Sequence, residues 1–297
     1  MTLEIPQHDA LNLWLAMLAG DEPEGGLLEL RAKRHGGTMR RVGFYPVHER
    51  PQIMAAIVRA ARLGDIYAGV APRRERPDGS APTSGGVEAI ERVWTLFVDA
   101  DTDEAAEALR TFEPAAAILI RSGTGVHGYW PLREPLSPEH AKRANRRLAH
   151  HLAADMNATD AARIMRPPGT LNWKHTPPRR VVCERLEILS YTAAGVVGRL
   201  PDPPAAPRRE PQALPAGPGS ANAALQGAAR VVREAQPGNR NASLNWAAWA
   251  LGQRIAAREL DEKSVRAELH AAAAEAGLDD TEIDVTLASG LRAGLAA

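Results

Sequence analysis

Val93-Trp-Thr-Leu-Phe-Val-Asp-Ala-Asp101 is an apolar run that ends in two aspartates two residues apart. Such a run reads as a strand, and its period of two puts Asp99 and Asp101 on one face at the strand tip. Carboxylates that close repel each other unless a cation lies between them. Hard divalent ions with oxygen ligands are the natural partner. Taken alone, the tip also reads as a solvated acidic turn into a helix, with Asp103 and Glu104 as charges at its N-terminus.

Two further stretches carry chemistry. In Arg121-Ser-Gly-Thr-Gly-Val-His-Gly-Tyr-Trp130 a strand runs into a Ser/Gly turn and a second strand returns carrying His127. Gly123 and Gly125 permit close backbone approach, so backbone N–H groups and the Ser122 hydroxyl can cradle phosphate oxygens. An ordinary glycine-rich hairpin is the plainer reading. Asp160-Ala-Ala-Arg-Ile-Met-Arg-Pro-Pro-Gly-Thr-Leu-Asn-Trp-Lys174 offers a carboxylate, then Arg163, Arg166 and Lys174. Arginine presents a planar fork to phosphate and lysine a point charge. The apolar residues between these charges anchor the segment, against its reading as a solvated loop.

The chain has 297 residues, 44% apolar and 24% charged, which suits a soluble globular protein of one large or two smaller domains. No apolar run reaches the ~18 residues of a membrane helix. The opening MTLEIPQHDALNLW lacks the order of a signal peptide. A single cysteine, Cys183, excludes a disulfide framework and a cysteine-based zinc site. The expectation is a cytoplasmic enzyme with no membrane partner. Lys/Arg and Asp/Glu balance at 36 each, which excludes a general polyanion sponge but not a local basic patch. Residues 140–180 hold nine Lys/Arg against two Asp. That excess marks Arg143, Arg146, Arg147, Arg179 and Arg180 as candidate nucleic-acid contacts. Part of it also reads as the solvated face of a helix over 138–156.

Residues 201–220 contain seven prolines and two glycines, and read as an extended linker. Before it, patterning predicts strands at 27–33, 39–47, 66–71, 93–98, 116–121, 126–131 and 181–189. Helices are predicted at 9–19, 52–63, 103–111 and 138–156, the last capped by Ser137 with Pro138 at its first position. After the linker the pattern is helical, with Asp261 and Asp279 as caps. This divides the chain into an α+β (or α/β) domain over 1–200, a Pro-rich linker over 201–222 and a small all-α helical bundle over 223–297.

The three stretches together describe two-metal nucleotidyl transfer, with one ion activating a 3′-hydroxyl and the other holding the triphosphate. An apolar strand ending in Asp-x-Asp, then Ser-Gly-x-Gly-x-His, then Asp with Arg-x-x-Arg-x-Pro-Gly-Thr-x-Asn-x-Lys, resembles the archaeo-eukaryotic primase superfamily, above all the small primase-polymerases of bacteria and mobile elements. The resemblance spans roughly residues 60–190. It implies an RRM-like primase core, Mg2+ or Mn2+ held by Asp99, Asp101 and Asp160, and triphosphate ligands at Ser122, His127, Arg163, Arg166 and Lys174. Ile66-Tyr-Ala-Gly-Val-Ala-Pro-Arg73 resembles an upstream strand whose arginine reaches the incoming nucleotide, which implies Arg73. No zinc is expected.

Gly238-Asn-Arg-Asn-Ala-Ser-Leu-Asn245 resembles part of the helical domain that follows such catalytic domains, where Arg240 and Asn241 would meet phosphate or base. Trp246 and Trp249 read as core. The implied partners are single-stranded DNA template and NTP or dNTP, with a replicative helicase or single-strand-binding protein as accessories. The alternative is a non-catalytic replication initiator or single-strand-binding module. Retention of all three carboxylates argues against it.

Overall fold

The computed structural model describes residues 5, 7–22, 26–35, 37–204, 221–236 and 239–296. The chain divides into two compact units, Met1–Pro204 and Ala205–Ala297. Among the described residues, no helix is long and apolar enough to cross a membrane.

The first unit is built on two antiparallel sheets. The first sheet runs in the order β2 (Met39–Pro46), β1 (Gly26–Arg34), β3 (Gly64–Gly69), β8 (Ile164–Met165), and the short β4 (Arg73–Arg74) also pairs with β1. The second runs β11 (Val182–Leu186), β6 (Ile118–Arg121), β7 (Val126–Leu136), β5 (Val93–Ala100). A two-stranded ribbon joins β9 (Leu171–Asn172) and β10 (Arg179–Arg180). Helices α1 (Gln7–Ala19), α2 (Arg50–Ala61), α3 (Asp103–Thr111), α4 (Pro138–His151) and α5 (Ala193–Val197) complete the unit.

Alternation along the strands decides what each face meets. Leu96, Val98 and Ala100 of β5, Leu119 of β6 and Val126 and Trp130 of β7 pack with α3, α4 and α5. The opposite face offers Phe97, Ile118, Ile120 and Tyr129 to a second core. That core includes Trp14 of α1, Ile53 and Ile57 of α2, and Leu28, Leu30, Ile66 and Ala68 of the first sheet. Each such apolar side chain, fully buried, contributes roughly 1.5–3 kcal/mol. The second sheet is therefore a middle layer, and Asp99 and Asp101 share the face of Phe97, away from α3 and α4.

Most elements match the sequence expectation within a few residues, and α3 matches at both ends. Thr102 caps α3 by accepting the Ala105 N–H at 3.2 Å, and Ser137 caps α4 by accepting the His140 N–H at 3.3 Å. Helix α4 stops at His151, short of the expected 156, and Ala153 has φ of 51°, the left-handed conformation that ends helices. The last expected strand ends at Leu186 rather than 189. The two-residue strands β4, β8, β9 and β10 had no sequence signal.

In the second unit, α6 (Ala221–Arg233), α7 (Arg240–Ala256), α8 (Glu262–Glu275) and α9 (Asp280–Leu295) close on Leu225, Val232, Leu244, Leu251, Val265, Leu269, Ile283, Leu287 and Leu291. Helices α7 and α9 touch through glycines, and a Cβ on Gly294 would lie 2.1 Å from the Trp249 carbonyl oxygen. Asp261 and Asp279 accept the N–H groups of Ser264 and Glu282 at 2.8 and 3.0 Å, as the sequence predicts. Trp246 is half-buried against this core. Helix α6 begins at Ala221, inside the expected linker. Residues 205–220 of that linker, and Gly238 of the Asn-Arg-Asn segment, lie outside the described residues.

Candidate metal and nucleotide site

The site is assembled from the tip of β5, the turn between β6 and β7, and the segment after α4. Register sets Asp99 beside His127 of β7, and His127 beside Ile120 of β6, so one cross-strand row carries both polar groups. The His127 Nε2 lies 3.4 Å from Asp99 Oδ1. The Tyr129 hydroxyl lies 3.3 Å from Nδ1. Burial pushes His127 down to about 4, helped by the positive charge of Arg166, so the ring is neutral at ordinary pH.

A third carboxylate joins the pair: oxygens of Asp99, Asp101 and Asp155 lie within 4.8 Å of one another. Asp155 follows α4, and its backbone N–H donates to the Asp99 carbonyl at 2.9 Å, which ties the returning chain to the strand tip. Burial, then the negative charge of Asp155, pushes Asp99 up to about 6, against the opposing pull of Arg163, Arg166 and Lys174. Asp101 is also raised, by burial and then by Asp99. Asp99 Oδ1 is buried without a hydrogen bond. Like charges crowded together, with a buried oxygen left over, fit a hard divalent cation.

The third member differs from the sequence expectation of Asp160, which lies outside this cluster. The Asp160 carboxylate contacts Arg163 Nη2 at 3.3 Å and accepts the Ala162 N–H at 3.1 Å, a local turn of its own. Asp155 is one of the two acids in the basic stretch 140–180. Its role depends on the reversal at Ala153, which no spacing rule announces.

The turn is held tightly. Ser122 sends both its N–H (2.9 Å) and its hydroxyl (3.3 Å) to the Gly125 carbonyl, so neither is free for a phosphate in this conformation. The N–H groups of Gly123 and Thr124 donate to no acceptor among the described residues. Gly123 has φ of 129°, and a Cβ there would lie 2.6 Å from Asn172 Nδ2. Asn172 in turn donates from Nδ2 to the Ser122 carbonyl at 2.7 Å. A Cβ at Gly125 would lie 2.9 Å from Asp101 Oδ1.

Cations face the cluster from the other side. Arg166 is nearly buried and donates from Nε and Nη2 to Asp65 Oδ1 at 3.2 and 3.0 Å, and from Nη2 to the Tyr67 hydroxyl at 2.5 Å. Its guanidinium also lies over the Tyr67 ring, 4.7 Å from the centroid. Asp65 accepts the Trp173 N–H at 3.1 Å as well, so one carboxylate holds both Arg166 and the loop bearing Lys174. The strand expected at 66–71 begins at Gly64 and carries Asp65 and Tyr67, which the sequence reading does not name as site residues. The alternation of Asp65 and Tyr67 against Ile66 and Ala68 was the available signal. Arg163 leaves its Nε buried without a partner, and Lys174 is exposed.

Arg73, expected to reach the incoming nucleotide, is fully buried. It contacts Glu29 at 3.1 Å and donates to the carbonyls of Ala71, Gly85 and Ala162. Burial lowers it to about 10, still cationic at neutral pH. It has no exposed surface, and its contacts tie β4 to Glu29 and the neighbouring carbonyls.

The basic footprint divides. Arg143, Arg146 and Arg147 lie on α4, whose buried face packs against the Leu96–Val98 side of β5, behind the carboxylates. Arg147 Nε is paired with Asp202 at 2.7 Å. Arg179 and Arg180 are exposed on β10. In the second unit Arg240 is half-buried beside Gly277, and Asn241 accepts from the Thr286 hydroxyl at 2.5 Å, linking α7 to α9.

No protein-family model matches the chain, and no curated protein matches it. Among solved structures it is similar to the AEP domain of the primase-polymerase of Cyanophage S-2L. The identity is 16% and the TM-score 0.49, over 66% of this chain and 100% of that one. It is similar to the catalytic domain of primase RepB′ in complex with initiator DNA, at 16% identity and a TM-score of 0.46, over 63% and 88% of the two chains. Against a second structure of primase RepB′ the identity is 14% and the TM-score 0.45, over 98% of each chain. All three likenesses lie at 14–16% identity and TM-scores below 0.5.

Proposed function

We propose that this chain is a nucleotidyltransferase of the primase-polymerase kind, which synthesises primers on single-stranded DNA and extends them. One observation carries the reading: oxygens of Asp99, Asp101 and Asp155 lie within 4.8 Å of one another, with Asp99 and Asp101 pushed up by burial and neighbouring negative charge and Asp99 pulled back by Arg163, Arg166 and Lys174. Asp99, Asp101 and Asp155 would hold Mg2+ or Mn2+. When bound, the metal supplies activation of a 3′-hydroxyl and neutralisation of charge at the triphosphate.

The chain's own residues do the rest. The N–H groups of Gly123 and Thr124 are donors for phosphate oxygens. Arg163, held by Asp160 and the Asn157 carbonyl, and the exposed Lys174 supply positive charge. Arg166, fixed by Asp65 and Tyr67, supplies a charge that does not have to reorganise. The neutral His127 faces the Tyr129 hydroxyl through Nδ1 and Asp99 through Nε2, so an Nε2 proton would point toward Asp99 or an oxygen bound beside it. We assign residues 1–200, with an RRM-like core centred on β5–β7, to catalysis. The helical segment is assigned to holding template or the initiating nucleotide through Arg240.

The test is incorporation of labelled NTP or dNTP on unprimed and primed single-stranded DNA with Mg2+ or Mn2+. Activity in the wild type and none in the Asp99→Ala/Asp101→Ala double variant is the expected result. Binding of DNA without incorporation under any of these conditions refutes the reading and leaves a non-catalytic initiator or single-strand-binding module.

A further inference from the structure

Residues 31–41, RAKRHGGTMRR, hold five Lys/Arg and no carboxylate, with 31–34 at the end of β1 and 39–41 at the start of β2. Strand register aligns part of this charge. Arg41 of β2 lies opposite Arg31 of β1, and Arg31 lies opposite Tyr67 of β3, so the three form one cross-strand row on one face of the first sheet. The row ends at Arg166, stacked on the Tyr67 ring, whose charge reaches both Asp99 and His127. Lys33 stands exposed in the next row, opposite Asp65.

The row carries more positive charge than its neighbours cancel. Glu29 is fully buried and serves Arg31, Arg41 and Arg73 together. Asp65 is spent on Arg166. Arg31 turns Nε and Nη2 inward to Glu29, and Arg41 turns Nε to Glu29 and Nη1 to the Thr83 carbonyl. That leaves Arg31 Nη1 and Arg41 Nη2 without a partner among the described residues, on guanidinium groups already locked in place. Side-chain exposures of 33% and 37% keep both within reach of solvent. Two strand spacings, about 10 Å, separate Arg41 from Tyr67, so the row suits a repeating anion better than a single phosphate.

We propose that the Arg41–Arg31–Tyr67–Arg166 row, flanked by Lys33, seats the phosphodiester backbone of single-stranded DNA leading to the carboxylate cluster. The inference rests on the polymerase reading for its direction, not for its chemistry. It moves the nucleic-acid path off α4 and onto the open face of the first sheet.

The experiment measures binding of a fluorescein-labelled oligothymidylate of about 16 nucleotides to the full chain by anisotropy. It is run without nucleotide, between about 50 and 200 mM salt. Two variants are used: Lys33→Glu, which changes an exposed side chain with no bonded partner among the described residues, and Arg41→Gln, which keeps an N–H donor at about the Nε position that serves Glu29. Each is expected to weaken binding and to lower the steepness of the log–log salt plot by about 0.7 per lost contact. Affinity for dATP with Mn2+ is expected to stay unchanged. Unaltered DNA affinity and slope, in variants that melt as the wild type does, overturns the proposal. So does loss of dATP affinity with DNA binding intact, which would make the row a triphosphate site. Should Lys33→Glu fail to fold, Arg41→Gln decides alone. Wild-type chain that binds through this row but incorporates nothing refutes the polymerase reading and leaves the row standing.

Discussion

Helix α4 and the segment Arg163–Lys174 are both basic, and in the sequence they form one continuous footprint. In the structure they do opposite things. The α4 arginines project from a helix whose Ala141, Ala144, Leu148 and Ala149 are buried behind the second sheet. Arg163, Arg166 and Lys174 lie close enough to lower Asp99 electrostatically. Local charge density reports how much charge a segment carries, and the amphipathic period of the element carrying it decides which side of the protein receives it. A 3.6-residue period turned the first set away. An irregular loop pinned by Asp65 and Asn172 turned the second set in.

The largest expected effect tests which acid belongs to the inward set. Asp155→Ala should cut nucleotide incorporation by at least about 100-fold. Asp160→Ala removes a partly exposed contact with Arg163 and the hydrogen bond from the Ala162 N–H, and should leave most activity and cost about 1 kcal/mol of stability. Steady-state incorporation and thermal melting of the two variants check this, and the reverse ranking would restore Asp160 as the third ligand.

A smaller effect separates the two basic segments directly. Arg163→Ala with Lys174→Ala removes two charge-assisted donors, each worth about 1.5–3 kcal/mol. KM for the incoming nucleotide should rise at least tenfold. Arg143→Ala with Arg146→Ala should change it less than about twofold, since screened charges behind the sheet act weakly at that range. Equal effects would erase the distinction.

The smallest effect is on stability against pH. Asp99 stands at about 6 in the folded protein against an ordinary 3.8. A carboxyl raised by folding contributes stability that is whole below about 3.8 and is lost as pH rises through about 6. Asp99→Asn should therefore melt a few degrees above wild type at pH 8 without metal. The difference should vanish below pH 4. His127 has the opposite sign: lowered from 6.5 to about 4, it costs stability as pH falls through that window. Melting curves of wild type, Asp99→Asn and His127→Gln across pH 4–8 resolve the two contributions.

The long, strongly patterned elements were legible in sequence. The Asp99/Asp101 face followed from period two, and the helix caps at Ser137, Asp261 and Asp279 obey local chemistry that needs no partner far away. What escaped reading was set by non-local pairing. Arg73 looks presentable after Ala-Pro, yet its partner Glu29 comes 44 positions earlier and buries it. Asp65 meets Arg166 across 101 positions. Two-residue strands such as β8 and β9 exist only because longer neighbours offer them an edge, so composition carries no trace of them. Arg31 and Arg41 share a row because of strand register, and register is a property of the folded hairpin.

Gly125 has a consequence for how such a protein can change. Any side chain there would meet the Ala100 carbonyl at 2.7 Å and the Asp101 carboxylate at 2.9 Å. The turn and the acidic tip, more than twenty positions apart in the chain, are therefore two halves of one joint with no slack between them. A library that randomises either half alone will mostly return broken proteins. Diversity in this centre has to be sought by exchanging both halves together, as a cassette.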